Sequence, residues 1–193
     1  MPGYRQVFLS HSRQDPNLDF FHKVFSGVGA KLIAVELEDI RPPPAKFIID
    51  QINTSDALFV SLSRPLERLP HTRNWVSFEI GLAANRPWPA LILGPWKIGI
   101  DIIVFEPFEY HNTPIQFPVP YFNYYVEYEN NNTWVKIIRT LVEYGPEYVN
   151  HELIKPIKCP YGDCRIEFGW IAPSGLTDLT CPACRRGIQV LGE

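Results

Sequence analysis

The chain has 193 residues, 46% of them hydrophobic and 20% charged, which is typical of a folded domain with a small addition and excludes a disordered chain. The net charge of −3 and a pI near 6.0 give no reason to expect nucleic-acid binding. No apolar run approaches the ~20 residues that span a bilayer, and the first residues carry no secretion signal. We therefore expect a soluble, cytoplasmic protein with no membrane partner.

Short apolar strands alternate with amphipathic helices along most of the chain. Strands are predicted at residues 6–10, 31–37, 57–62, 90–93, 101–105 and 124–128. Helices are predicted from Asp15-Pro16 to Gly29, over 47–55, over 72–85, and from Asn132 or Thr133 to Gly145-Pro146. The tripled proline at 42–44 predicts a loop. This alternation predicts an α/β fold whose parallel sheet is covered on both faces.

Ligands of such sheets bind in the crevice at the carboxyl ends of the strands. In this chain those ends carry Ser10-His11-Ser12, residues 38–46 and Ser61-Leu62-Ser63. The helix predicted over 72–85 holds Trp75 and Glu79 four residues apart, on one face. A lone glutamate on such a helix is most often solvated, and a tryptophan is most often a core anchor. These residues alone leave both roles open.

Three segments carry a resemblance to a known family. They are Val7 to Ser12 with Asp15, the proline-rich stretch from Glu38 to Lys46, and Asn74 to Ala83 with its Trp-x-x-x-Glu pattern. In this order they resemble the Toll/interleukin-1 receptor (TIR) domains of prokaryotes. The likeness spans about residues 6–144 and implies a TIR domain over 1–150 with a flavodoxin-like sheet. The third segment resembles the helix that carries the glutamate of TIR enzymes which hydrolyse NAD.

The resemblance implies an enzyme that cleaves NAD+ into nicotinamide and linear or cyclic ADP-ribose, with Glu79 as its catalytic carboxylate. It also implies substrate contacts by Ser10 and His11 to ribose or phosphate, by Phe47 to nicotinamide, by Asp39 to a sugar hydroxyl, and by Trp75. Self-association through the loop from Glu38 to Lys46 would activate such a prokaryotic defence or signalling effector. The resemblance leaves two alternatives open: a non-catalytic scaffold that joins other TIR proteins, and cleavage of another nucleotide.

One carboxylate suffices for this chemistry. Nicotinamide leaves a cationic pyridinium as a neutral molecule, so no general acid is needed, unlike ordinary glycoside hydrolysis. An ionised Glu79 would stabilise the oxocarbenium-like transition state electrostatically. The sequence lacks the Gly-x-Gly-x-x-Gly fingerprint of redox dinucleotide enzymes, which favours cleavage over hydride transfer.

Four cysteines lie in the last 35 residues, as Cys159-x4-Cys164 and Cys181-x2-Cys184. In a reducing compartment this spacing favours a tetrahedral metal site over disulfides. It predicts a structural zinc ribbon over 151–193, joined by a short linker near 148–156. Arg165, Arg185 and Arg186 make too thin a basic patch for nucleic acid. Two other roles remain open for the ribbon: docking an unknown protein partner, and sensing a trigger that controls the enzyme.

Overall fold

The computed structural model describes residues 3–35, 44–85, 100–150 and 153–190. Its strands are β1 (Gln6–Ser10), β2 (Lys31–Ala34), β3 (Ala57–Ser61), β4 (Asp101–Pro107), β5 (Tyr124–Tyr128), β6 (Ile154–Lys158), β7 (Glu167–Ile171), β8 (Asp178–Thr180) and β9 (Gly187–Gln189). Its α-helices are α1 (Leu18–Phe25), α2 (Pro44–Thr54), α3 (Pro65–Arg68), α4 (Pro70–Ala84) and α5 (Asn132–Tyr144). Short 3-10 turns cover Phe108–Tyr110 and Pro146–Tyr148.

Seven strands form one sheet in the order β2-β1-β3-β4-β5-β7-β6, and β8 and β9 form a separate hairpin. Neighbours in the large sheet are parallel except β6 and β7, which are antiparallel. The order of the first five is that of flavodoxin-like sheets, whose ligands bind at the carboxyl ends near β1 and β3. The predicted α/β class with a mostly parallel, helix-flanked sheet is confirmed.

Helices cover both faces of the parallel strands, so those strands are apolar on both sides. Val7 and Leu9 of β1 pack with α1 and α5, on what we call the α1 face. Phe8 packs with α2 and α4 on the other side, the α4 face. Because side chains alternate along a strand, Ser10 also points to the α4 face.

All four predicted helices start at a residue other than the predicted one. Helix α1 begins at Leu18 and not at Pro16, and α2 begins at Pro44 and not at residue 47. Helix α4 begins at Pro70 rather than residue 72, because proline's fixed φ suits the first helical turn. Helix α5 is capped by Asn131, whose side chain accepts a hydrogen bond from the Trp134 amide, and not by Asn132 or Thr133.

The end of α1 and the proline stretch also differ. Helix α1 ends at Phe25, because Gly27 takes a positive φ of 83°, so Gly29 does not terminate it. Pro44, predicted as loop, is the first residue of α2. Strand β2 ends at Ala34. The strand predicted at 90–93 and residues 38–43 of the proline-rich loop lie outside the described residues.

The cysteine-containing tail is built into the large sheet. The end of the segment expected to be a linker, residues 154–156, lies in β6, which pairs with β7. Strand β7 pairs in parallel with β5 from Tyr124↔Gly169 to Val126↔Ile171. We call residues 159–190 the cysteine module. Most of its buried apolar residues belong to the core of the α4 face, so the module packs against the sheet. In the described ranges, no helix has the length and apolar character needed to cross a membrane.

Candidate functional site

Helix α4 brings Glu79 against the end of β1. Val76, Ile80 and Ala83 of this helix are buried in the α4-face core, and Glu79 lies on the same buried side with 8% of its surface exposed. Glu79 is therefore buried, whereas a lone glutamate on a helix is usually solvated.

Ser10 is the direct partner of Glu79. Its Oγ donates a hydrogen bond of 2.5 Å to Glu79 Oε2, and Ser10 itself is 1% exposed. Hydrogen bonds from a hydroxyl to a carboxylate are short and strong in such surroundings. The structure thus joins two of the residues that the sequence assigned to one site, at the carboxyl edge where β1 meets β3.

Burial changes the protonation of Glu79. Removal from water disfavours the charged form and raises the pKa of Glu79 to about 7, while the hydrogen bond from Ser10 opposes the rise. Near neutral pH the side chain therefore exists in both forms. A carboxyl group with this behaviour at the carboxyl edge of a parallel sheet is a functional candidate.

Three of the other predicted contacts are described by the structure, and each has a different environment. Trp75 is half-buried, donates its indole N–H to His71 Nε2 at 3.1 Å and meets the Phe78 ring edge-on at 5.5 Å. Phe47 lies in the first turn of α2, which packs on α4, and is 43% exposed. His11 Nδ1 lies 2.9 Å from the Ser12 carbonyl oxygen. Asp39 lies outside the described residues.

The carboxyl edge also buries polar groups that were not among the predicted site residues. Five side-chain atoms there have no hydrogen-bond partner in the described part of the chain: Asp15 Oδ2, Asn17 Nδ2, Ser61 Oγ, Ser63 Oγ and Tyr128 OH. Buried polar atoms of this kind need water or a ligand. The signal in the sequence was the pair Ser61 and Ser63, directly at the end of an apolar strand.

A groove of about 630 Å³ lies elsewhere on the sheet. Its lining comes from Asn123, Tyr124 and the β6–β7 pair, and includes Lys158 and Glu167. Tyr124 begins β5, so the groove lies toward the amino end of that strand, away from the carboxyl edge. Neither Ser10 nor Glu79 lines it, and we do not assign it to the candidate site.

The four cysteines form a compact cluster that could hold a metal ion. Their Sγ atoms all lie within 4.8 Å of one another. The separations are 3.8 Å for Cys159–Cys184 and 3.9 Å for Cys164–Cys181. A tetrahedron with Zn–S bonds of about 2.3 Å has edges of about 3.8 Å. A disulfide would need an S–S length of about 2.05 Å. The donor set therefore fits a closed tetrathiolate metal site.

The two cysteine turns share a pattern of backbone hydrogen bonds and φ angles. The amides of Cys164 and Arg165 donate to the Tyr161 carbonyl, and the Arg185 amide donates to the Cys181 carbonyl at 2.8 Å. Arg165 and Arg185, each directly after the second cysteine of a turn, have left-handed φ values of 52° and 57°. Non-glycine residues adopt this conformation only where surrounding contacts impose it.

Two of the three arginines expected at the surface are engaged within the protein. The Arg185 side chain is 8% exposed and its Nη2 lies 3.4 Å from Glu106 Oε1. Arg186 lies 2.5 Å from Asp163 Oδ1 and stacks over the Tyr161 ring at 4.0 Å. This leaves little free positive charge on the module for a nucleic-acid backbone.

Comparisons with known proteins add no relative. No family model matches the chain, and neither the curated proteins nor the solved structures include a match.

Proposed function

We propose that the chain is a TIR-type NAD+ glycohydrolase or cyclase whose catalytic group is Glu79. The observation that carries the proposal is the buried Glu79 carboxyl group, hydrogen-bonded to Ser10 at the carboxyl edge of a sheet with flavodoxin-like strand order. The resemblance of the chain to TIR enzymes and the burial of the side chain both support Glu79 as this group. In this proposal the protein is a cytoplasmic defence or signalling effector.

The reaction breaks the bond between ribose C1′ and the nicotinamide nitrogen. The bonding electron pair leaves with nicotinamide, which needs no proton because it departs as a neutral molecule. Positive charge develops on the ribose as this bond breaks, and ionised Glu79 stabilises it electrostatically. Water attacks C1′ and loses a proton to give ADP-ribose, or a nucleophile of the same nucleotide attacks to give a cyclic product.

Surrounding residues have supporting roles in this proposal. Ser10 holds the carboxylate, and its hydroxyl oxygen can still accept a hydrogen bond from a ribose hydroxyl. The exposed ring of Phe47 is available for stacking on nicotinamide. Trp75 and His11 keep their proposed roles as substrate contacts. Asp39 keeps its proposed contact to a sugar hydroxyl. Assembly through the loop from Glu38 to Lys46 activates the enzyme.

Zinc is the metal we propose for the cysteine cluster. Four thiolates leave no open coordination position, so the ion is structural and supplies no step of the reaction. Cys159, Cys164, Cys181 and Cys184 would each contribute one sulfur ligand.

The proposal is tested with the purified full chain and NAD+, by measuring nicotinamide release at increasing protein concentrations. Glu79→Gln keeps the size of the side chain but cannot ionise, and release should fall by at least about 100-fold. Glu129→Gln, an exposed site, is the matched control and should leave release unchanged. Equal release by wild type and Glu79→Gln would remove Glu79 from the mechanism.

A non-catalytic scaffold is the second candidate. It is favoured by two exposed aromatic rings on neighbouring helices, Phe47 at 43% and Phe78 at 37% exposure, which suit a protein contact. Absence of nicotinamide release at every concentration, together with concentration-dependent association, would support the scaffold.

A further inference from the structure

Two buried glutamates lie side by side on β4 and β5, apart from the Ser10–Glu79 pair. Glu106 and Glu127 are register partners, and each is only 1% exposed. Like charges placed opposite each other in a sheet repel, and buried charges need partners. Two of the groups that provide those partners, Arg185 and Trp170, belong to the cysteine module.

Glu106 is bound from three directions. Its Oε2 accepts a hydrogen bond of 2.8 Å from the Tyr125 hydroxyl, and its Oε1 accepts one of 2.6 Å from the Ile115 amide. The cationic partner is Arg185, whose Nη2 lies 3.4 Å from Oε1. Arg185 directly follows Cys184, one of the four proposed ligands. The second cysteine turn therefore positions the positive charge beside Glu106.

Glu127 also depends on the segments that surround the cysteines. Its Oε2 accepts a hydrogen bond of 2.9 Å from the Trp170 indole on β7. Its Oε1 lies 2.9 Å from His111 Nδ1, and His111 Nε2 lies 3.6 Å from Asp178 Oδ2 on β8. Thus β7 and β8, which connect the two cysteine turns, both reach this carboxylate, one directly and one through His111.

The position of Arg185 depends on the geometry of the second cysteine turn. The residue is held in a left-handed conformation while its amide donates to the Cys181 carbonyl. Its guanidinium is buried, and Nε and Nη1 have no hydrogen-bond partner among the described residues. A buried guanidinium with one long contact is not a favourable arrangement by itself. Something else must hold the turn, and closure of the four-sulfur site is the local source of binding free energy.

We infer that a metal ion held by the four cysteines fixes Arg185 and Trp170 against the buried Glu106–Glu127 pair. Metal binding and folding of the sheet are then one coupled process. The carbonyl of Pro182, inside the second turn, also accepts the Val119 amide at 2.9 Å, which ties the loop after β4 to the same turn. Coupling is reciprocal: metal stabilises the sheet, and the buried ion pair strengthens metal binding. This inference does not depend on NAD+ cleavage.

Hydrogen exchange of the zinc-loaded full chain, before and after addition of a strong chelator, tests the coupling in the wild-type protein. We expect amides of β4 and β5 to lose protection together with residues 159–190 when zinc is removed. If residues 159–190 exchange freely while β4 and β5 keep their protection, the module is an independent appendage and the inference fails.

Two arginines at the same position of the two cysteine turns provide a matched pair of variants. Arg185→Met removes the buried cation, whose side chain is 8% exposed, but keeps an apolar chain of similar length, whereas Arg165→Met removes an exposed one that also follows a second cysteine in a left-handed conformation. We expect Arg185→Met to bind zinc several-fold more weakly than wild type in competition with a chromophoric chelator, with a Tm lower by on the order of 10 °C. Arg165→Met should change both little.

Equal zinc affinity and equal Tm for the two arginine variants would overturn the inference. If Arg185→Met does not fold, the exchange experiment decides alone, because it uses no substitution. Glu106→Gln added to Arg185→Met should restore part of the lost Tm, because it removes the unpaired buried charge. Absence of any such restoration in a folded double variant would contradict a pairing of these two side chains.

Discussion

The Oγ of Ser10 donates a 2.5 Å hydrogen bond to Oε2 of Glu79, across 69 positions of the chain. Both residues are buried, one at the end of β1 and the other on α4. The sequence interpretation gave Ser10 a direct contact with ribose or phosphate. The contact in the structure is with the carboxylate, which makes Ser10 first of all a positioning residue for Glu79.

Replacement of Ser10 by alanine should raise the pKa of Glu79 further, because it removes the hydrogen bond that opposes the effect of burial. It should also lower the free energy of unfolding at pH 8 by about 1–3 kcal/mol, since a buried acceptor loses its donor. Carbon-detected NMR titration of the glutamate carboxyls and urea unfolding measure the two effects. Ser77→Ala, on the exposed side of α4, is the control. An unaltered Glu79 titration would contradict the assigned role.

Burial of Glu79 also predicts how stability varies with pH. Its pKa is about 7 in the folded protein against an ordinary 4.5, so the folded state holds its proton more tightly than the unfolded state. The resulting stabilisation is fully present below about pH 4.5 and is lost as the pH rises through 7. The size expected from this difference is about 3 kcal/mol.

Urea unfolding of wild type and Glu79→Gln at a series of pH values isolates this effect, because glutamine does not titrate and other groups are common to both proteins. The difference in free energy of unfolding, wild type minus variant, should decline between pH 4.5 and 8. A difference that stays constant over this range would show that the carboxyl group has an ordinary pKa.

Phe47 and Phe78 allow the stacking role to be separated from general packing. Both rings are partly exposed, on α2 and α4 respectively, so truncation should change stability by less than about 1 kcal/mol. We expect Phe47→Ala to raise the KM for NAD+ severalfold and Phe78→Ala to leave it unchanged. The KM of each variant is measured from steady-state nicotinamide release. An equal change in KM for the two variants would remove Phe47 from the substrate site.

The cysteine cluster predicts a metal stoichiometry near one per chain, because the four sulfurs form a single closed site. Elemental analysis of the purified protein measures it. Cys181→Ser, at a fully buried ligand, should abolish stoichiometric binding, whereas Glu79→Gln should retain it. Full metal content in Cys181→Ser would mean that the thiolate of this residue is not a ligand.

Local patterns in the sequence predicted the parallel core well. Residues 6–10, 57–62 and 124–128 are short apolar runs, and each forms a strand within one residue of the predicted bounds. The four-cysteine cluster was also predictable, because ligand spacing is a local property. The contact between Ser10 and Glu79 was not, since its hydrogen bond and the burial of Glu79 depend on how α4 packs against β1.

The cysteine-bearing tail shows the limit of local reasoning. Pro156 made its segment resemble a linker, but proline is tolerated in an edge strand, and β6 is the edge of the sheet. No pattern within 154–171 indicates which sheet those strands join. Glu106 and Glu127 did leave a signal: each follows an apolar run at the strand period that places it on a buried face.

The pH dependence of nicotinamide release by concentrated protein is the most direct test of the central claim, that the buried Glu79 carboxylate cleaves NAD+. The rate should rise with pH through about 7, as Glu79 loses its proton, and then level off, while Glu79→Gln stays inactive throughout. A rate that is independent of pH between 5.5 and 8.5, or that is retained in Glu79→Gln, would contradict the claim.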